Sequence, residues 1–387
     1  MYLGYTRSPV VNPVIERPRV LLLIPHLGGG GSERVFALLA RGLSHEKYEL
    51  HLCVVTGEEV AAGAIPAFVT VHILHAKRVR SAAFRLISLV RQLRPQVILC
   101  GMFHLNFLIL LLRPFFPRSV QVFVRQNGTV SAALAQSALP IYTRLLYRVL
   151  YPRADRVICQ STAMANDLTR EINLPEQNMI VLPNPIELER LRSAVSETYG
   201  SWTGSGPHLL AIGRLSREKG FDLLLQALVT VREQFAHCRL VIAGSGPEEA
   251  ALKALSDRLG LESAVTFAGY VDDPSIYFPG ASLFVLSSRH EGLPNALLEA
   301  AAGGLPIVAS PASDGIRDLL RGQPGTWLAT EVSTKALAET LLAALTSLET
   351  LQRFQHSFID DFRFDRAIRC YEALIDASIA GAGHLQS

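Results

Sequence analysis

RVLLLIPHLGGGGSERVFALLARGL, residues Arg19 to Leu43, decides the architecture. Its first part, Arg19 to Pro25, is an unbroken apolar run of the kind that fills a parallel strand buried on both faces. Four glycines follow, and then a helical pattern from Ser32 to Leu43. The order strand, glycine loop, helix opens a doubly wound α/β sheet, and the loop lets backbone alone approach a ligand at a helix start, with Ser32 as the expected N-cap.

Working outward, strand-like runs recur at Leu50 to Thr56, Val97 to Cys100, Val120 to Val124 and Arg156 to Gln160. Helical stretches such as Ser81 to Leu93 and Pro140 to Tyr151 separate them, and such alternation means a parallel sheet. Val181-Leu182-Pro183-Asn184-Pro185 ends this series, and a Gly/Ser-rich loop spans Ser196 to His208. A second series starts with strand Leu209 to Ile212, a glycine and a helix over Phe221 to Phe235. It continues through strands Arg239 to Ala243, Val265 to Ala268, Leu283 to Leu286 and Pro306 to Ala309. Two Rossmann-like domains are therefore expected, 1–185 and 186–360. After Thr334 the pattern is helical, and 361–387 should form a C-terminal helix packing back on the first domain.

Length agrees, because 387 residues exceed what one core organises. A composition 49% hydrophobic and 18% charged excludes disordered and collagen-like chains. The net charge of +3 hides an asymmetry: residues 1–190 carry 21 Lys and Arg against 12 Asp and Glu, and the remainder carry 16 against 22. The first half should therefore meet an anionic surface or substrate. Cys53, Cys100, Cys159, Cys238 and Cys370 lie far apart in no metal-like pairing, so they read as reduced thiols. The proline-punctuated stretch Met1 to Pro18 has no apolar core of a signal peptide, and a cytoplasmic location is expected. Val97 to Leu112 is too short and too interrupted to span a bilayer, and reads as a strand followed by a core helix.

The chemistry concentrates in SSRHEGLPNALLEAAAGGLPIVAS, Ser287 to Ser310. Glu291 precedes a Gly-Leu-Pro turn, Pro294 suits the first turn of a helix, and Glu299 lies about one and a half turns inside it. A helix start can dock a phosphate, and two carboxylates at this spacing can accept hydroxyl hydrogen bonds from different parts of one sugar nucleotide. GRLSREKG, Gly213 to Gly220, adds Arg214 and Lys219 after a strand end. Two cations there would stabilise a diphosphate gaining charge as a glycosidic bond breaks.

These segments, with Gly-Gly-Ser-Glu-Arg-Val at Gly30 to Val35, VLPNPI at Val181 to Ile186, IAGSGP at Ile242 to Pro247 and FAGYVDDP at Phe267 to Pro274, resemble the family 4 glycosyltransferases, retaining enzymes of the GT-B fold. The resemblance runs through nearly the whole chain. It implies that Glu291 contacts the donor sugar, Glu299 the ribose, the turn around Gly292, Leu293, Pro294 and Asn295 the diphosphate or sugar, and Arg214 and Lys219 the leaving group. Gly30, Gly31, Gly213, Gly244, Tyr270 and Val271 would complete the donor site. Many relatives carry a catalytic His after the strand Val120 to Val124. This chain has Arg125-Gln126-Asn127 there, so Arg125, Asn127 and the strand-end His104 are the acceptor-side candidates, while His26 reads as structural.

No G-x-G-x-x-G, P-loop or metal-ligand cluster is spelled, so no cofactor and no metal are expected, and nucleic-acid binding lacks a motif. The expected function is transfer of a sugar from a nucleotide-diphosphate sugar, a UDP-sugar ahead of a GDP-sugar, to a glycan or lipid-linked acceptor in cell-surface polysaccharide or glycolipid assembly. A non-catalytic sugar-nucleotide-binding relative and a sugar-nucleotide epimerase are the alternatives. Val79 to Leu93 sets Arg78, Arg80, Arg85 and Arg91 against an apolar face, and Pro140 to Arg153 combines Arg144, Arg148 and Arg153 with Tyr142, Tyr147 and Tyr151. Both stretches suit an anionic membrane surface, which would make the protein peripheral on the cytoplasmic face.

Overall fold

The computed structural model describes residues 17–28, 30–57, 65–195, 202, 205–349 and 351–383. Most of the expected Met1–Pro18 and Ser196–His208 segments, and Gly29 of the glycine loop, lie outside them. Strands β1 Arg19–Ile24, β2 Glu49–Val54, β3 Thr70–Ile73, β4 Val97–Gly101, β5 Gln121–Arg125, β6 Arg156–Cys159 and β7 Met179–Val181 form one parallel sheet in the order β3-β2-β1-β4-β5-β6-β7. Strands β8 His208–Ile212, β9 Arg239–Ala243, β10 Val265–Gly269, β11 Leu283–Leu286, β12 Ile307–Ala309 and β13 Thr326–Leu328 form a second in the order β10-β9-β8-β11-β12-β13. The strand order reverses between β1 and β4 and again between β8 and β11. Open α/β sheets hold ligands at such crevices.

Helices α1 Gly31–Gly42, α2 Ala83–Leu93, α3 Phe103–Leu112, α4 Val130–Gln136, α5 Pro140–Leu150, α6 Thr162–Ile172 and α7 Leu188–Ala194 belong to the first 195 residues. Then come α8 Phe221–Gln234, α9 Glu249–Arg258, α10 Asn295–Ala302, α11 Asp314–Leu320, α12 Thr334–Ser347 and α13 Phe364–Gly383. Central strands are apolar in their middles because both faces are covered: Val20 to Ile24 are fully buried. One face of the first sheet packs side chains of α2 to α6, including Leu86, Ile109, Leu134, Tyr147 and Leu168. The other packs α1 with Ile368, Tyr371, Leu374 and Ile375 of α13, so the last helix completes a core begun near the N-terminus. Glu372 accepts from the Ser44 amide and from Lys47 Nζ, fastening that helix from its flank.

Several elements differ from the sequence reading. β3, β7 and β13 were not expected: each is three or four residues long, part-exposed and at a sheet edge, so none has a long apolar run. The helix expected from Ser81 starts with a 3-10 turn, Val79–Ala82. The segment after α12 is not continuously helical, because Phe354 crosses to pair its amide with Gly304 O before a 3-10 stretch at Ser357–Phe362. Among the described residues no helix is long and apolar enough to cross a membrane.

Candidate active site

Residues after β8 and β11 meet above the second sheet. Lys219 Nζ donates to Glu291 Oε1 at 2.6 Å, and Ser288 Oγ donates to the same oxygen at 2.7 Å. Lys219 is held from behind, its carbonyl accepting from Ser287 Oγ at 2.9 Å. Arg289 and Asp222 form a two-pronged pair at 2.7 and 2.6 Å, which ties this loop to the start of α8. Arg214 stands exposed on the same β8–α8 loop, with no ion pair among the described residues. The expected cation pair is thus one lysine engaged by Glu291 and one free guanidinium.

Gly213 and Gly244 act on each other. Gly244 has φ +149°, and a Cβ there would lie 1.9 Å from Gly213 O, so two loop backbones touch where only glycine fits. The β11–α10 turn is open to an anion: the amides of Gly292, Leu293, Asn295 and Ala296 donate to no acceptor among the described residues. Unpaired N–H groups at a helix start carry partial positive charge. Pro294 is the N-cap of α10 and Asn295 its first residue, one position later than the sequence suggests.

Glu299 lies inside α10, and its side chain is 8% exposed. Arg34 of α1 reaches it across the cleft, Nη1 donating to Oε1 at 2.9 Å while Nη2 donates to Asp272 O at 2.9 Å. Burial pushes the Glu299 carboxyl up, against the opposing pull of Arg34. Burial also disfavours the Arg34 charge, but Glu299 and Asp273 outweigh it and raise its pKa. Oε2 of Glu299 accepts no hydrogen bond from the described residues, so one carboxylate oxygen remains free for a ligand hydroxyl. Asn295 adds a second link, donating to Gly31 O and accepting from Asn184 Nδ2, both at 2.6 Å.

On the first-half side, the structure corrects the reading of Arg125. It is the last residue of β5 rather than part of a polar loop, and it is 1% exposed. Its guanidinium donates to Asn127 Oδ1 and Asn184 Oδ1, so it orients neighbours instead of facing the cleft. Ser32 is likewise not the N-cap of α1. Gly30 holds that position without a side-chain cap, two residues earlier, and the Glu33 carboxylate folds against Gly30 beside His26. Tyr270 is half exposed at the end of β10, next to Val271 and the Asp272 carbonyl that Arg34 holds.

Between the halves lies a cavity of about 670 Å³. His104, Asn127, Lys219, Glu291 and Gly292 all line it, so acceptor-side candidates and donor-side residues share one space. Arg125, Arg214 and Glu299 do not. The sequence reading missed His290, Phe103 and Tyr147 on its walls, as well as Arg34. Arg34 stood inside a quoted motif, but nothing in sequence says that it reaches residue 299. Gly292 marks how close the halves come: a Cβ there would sit 2.7 Å from Asn127 O and 2.6 Å from Met164 Cε. Among the described residues no group of three or more His, Cys, Asp or Glu is arranged to hold a metal ion.

Comparison with known proteins agrees with this geometry. Residues 29–190 match the family described as Glycosyltransferase Family 4, and residues 206–347 match Glycosyl transferases group 1. An uncharacterized glycosyltransferase of Haemophilus influenzae is 35% identical over 133 residues, 34% of this chain and 38% of that protein. The N-acetylgalactosamine-N,N'-diacetylbacillosaminyl-diphospho-undecaprenol 4-alpha-N-acetylgalactosaminyltransferase of Campylobacter jejuni is 26% identical over 310 residues, 77% of this chain and 82% of that one. Anabaena Alr3699/HepE, solved in complex with UDP and glucose, superposes with a TM-score of 0.76 at 17% identity, covering 93% of this chain and all of that one. Two parallel-sheet halves and both family matches converge: the chain belongs to the family 4 glycosyltransferases and has the GT-B fold.

Proposed function

We propose that the protein transfers a hexosyl group, with retention at the anomeric carbon and without a metal or other cofactor, from a nucleotide-diphosphate sugar to a lipid-linked glycan. The observation that carries this reading is the open start of α10 beside Lys219 and Glu291, facing Asn127 and His104 across the shared cavity. The donor diphosphate lies on the free amides of Gly292, Leu293, Asn295 and Ala296, with Lys219 and Arg214 as its cations. Lys219 leaves Glu291 to do so, which frees that carboxylate for donor-sugar hydroxyls. Glu299 Oε2 takes a ribose hydroxyl. The acceptor oxygen attacks the anomeric carbon from the face on which the carbon–oxygen bond to phosphate breaks. The acceptor proton passes to the departing phosphate oxygen.

A UDP-sugar is the favoured donor, in keeping with the UDP held by the Anabaena protein. The diphospho-undecaprenol in the Campylobacter relative's name supports a lipid-linked acceptor, used in cell-surface polysaccharide or glycolipid assembly at the cytoplasmic face of an anionic membrane. Turnover of the Lys219→Ala protein, measured as nucleotide release with acceptor, tests the assignment. A fall of at least ~10²-fold is expected from loss of one transition-state contact. Unchanged turnover would remove Lys219 from the reaction, and nucleotide release without any glycosylated product would favour an epimerase instead.

A further inference from the structure

The outer face of α5 is unlike the rest of the surface. Ile141, Tyr142, Leu145, Leu146 and Val149 are 82, 66, 55, 46 and 48% exposed, and Leu139 just before the helix is 62% exposed. At 100° per residue those five helical side chains fall within one arc of about 140°, bordered by Arg144 and Arg148. Only Tyr147 and Leu150 of the helix are fully buried. Soluble proteins rarely leave so continuous an apolar stripe uncovered. Neighbouring α3 and its following turn add Leu111 and Phe115, 55 and 52% exposed, and α2 adds Phe84 at 87%. Arg91 Nε donates to Phe115 O, which places α2 beside that turn.

Charge identifies the occupant. From Val60 to Ala154 the sequence contains twelve Lys and Arg and no Asp or Glu. Of these cations, Arg148 and Arg153 at the end of α5, Arg118 after α3, and Arg78, Arg80 and Arg94 around α2 are exposed and in no ion pair among the described residues. A second copy would set this face against itself and oppose arginine to arginine across a two-fold axis. An anionic bilayer matches both components, its acyl region taking the aliphatic side chains and its headgroups the arginines.

We infer that α5, with the adjoining ends of α2 and α3, is the element by which this enzyme sits in the headgroup layer of an anionic membrane. The face differs from the sequence expectation. Tyr147 and Tyr151 are fully buried, Arg85 is folded onto the Leu74 and His75 carbonyls, and the membrane-facing stripe of α5 is aliphatic apart from Tyr142. Position adds a reason: Ser137, Thr143 and Tyr147 line the shared cavity, so the cavity reaches the helix that carries the stripe. A lipid-linked acceptor embedded at α5 then has its glycan at the cavity and its lipid in the bilayer. That last step rests on the glycosyl-transfer reading, but docking itself does not.

The test is co-sedimentation of the full-length protein with phosphatidylcholine vesicles, with and without phosphatidylglycerol. Wild type should bind only the anionic vesicles, and binding should weaken with salt. Ile141→Glu/Leu145→Glu should lose at least about tenfold in partitioning, and Arg148→Glu roughly fivefold or more. Both should retain wild-type UDP affinity by calorimetry, since none of the three positions lines the cavity. Unchanged partitioning of the double variant overturns the assignment, as does a wild type indifferent to phosphatidylglycerol. So does a wild-type dimer in light scattering that the double variant abolishes, since a second copy would then cover the stripe. Intact docking with no sugar transfer to soluble or vesicle-bound acceptors would instead refute the enzymatic reading alone.

Discussion

Removing Arg34 is the most demanding perturbation of the site. The variant Arg34→Met keeps the aliphatic stem and deletes the only described cation bonded to Glu299, a carboxylate whose side chain is 8% exposed. Breaking a buried pair from one side costs about 3–5 kcal/mol when the remaining charge cannot relax. Here Glu299 can take up a proton instead, and each pKa unit gained corresponds to about 1.36 kcal/mol. A loss of about 2–3 kcal/mol near neutral pH is therefore expected. Because the folded-state pKa of Glu299 is already raised by burial, removing Arg34 raises it further. The folded variant then holds more protons than the unfolded chain above the ordinary carboxyl range, so its stability falls as pH rises through the new pKa and levels off beyond it. A double-mutant cycle of Arg34→Met and Glu299→Gln in urea unfolding, run between acid and neutral pH, reads the coupling directly. It should be about 2 kcal/mol at neutral pH and shrink on acidification as Glu299 protonates. UDP affinity of Arg34→Met should fall in parallel, with Arg34→Lys partly restoring it. A coupling below about 0.5 kcal/mol at neutral pH, or one that ignores pH, would refute the idea that the buried carboxylate depends on the cross-cleft arginine.

Other substitutions should separate binding from chemistry. Glu299→Ala should weaken nucleotide binding more than it slows turnover, whereas Glu291→Ala should lower kcat; steady-state kinetics with equal kcat losses for both would contradict the assignment. Gly292→Ala places a methyl within 2.7 Å of Asn127 O, so it should hold the halves apart and cut kcat/KM at least about tenfold, visible also as a larger radius of gyration. His51 and His72 touch at 3.1 Å, and burial holds both below the usual histidine range. The unfolded chain therefore binds their protons first, and thermal stability should drop as pH falls below about 6.5, an effect that His72→Gln should reduce.

The core of the fold was legible because its strands are fully buried. RVLLLI and RLVIA have no polar face, so composition alone marks them and the glycines mark their ends. The edge strands, Thr70–Ile73 among them, keep exposed residues and do not stand out from loops. Glu291, Lys219 and Glu299 were legible because their chemistry is concentrated in short segments. Arg34 was not, since its role comes from a contact made across the cleft, 265 positions away at Glu299, and His290 was not, since only the fold puts it on the cavity wall. Arg125 shows the same limit in reverse. Polar neighbours suggest a loop, yet strand pairing with Ile158 draws it into the sheet and asparagines take its hydrogen bonds.

The position of α13 sets the order in which the molecule can be completed. Tyr48 and Tyr371 belong to one cluster but are 323 residues apart in the chain. At roughly 5–20 residues per second of synthesis, the side of the first sheet that holds Leu22, Leu50 and Leu52 waits on the order of 15–60 seconds for the helix that closes it. During that interval the nascent chain presents a growing parallel sheet with α1 on that face and a bare apolar strip beside it, the kind of surface that chaperones hold. Premature termination anywhere before α13 thus harms the first-made half as much as the last, and tags or fusions at the C-terminus act directly on the folding of residues near the N-terminus.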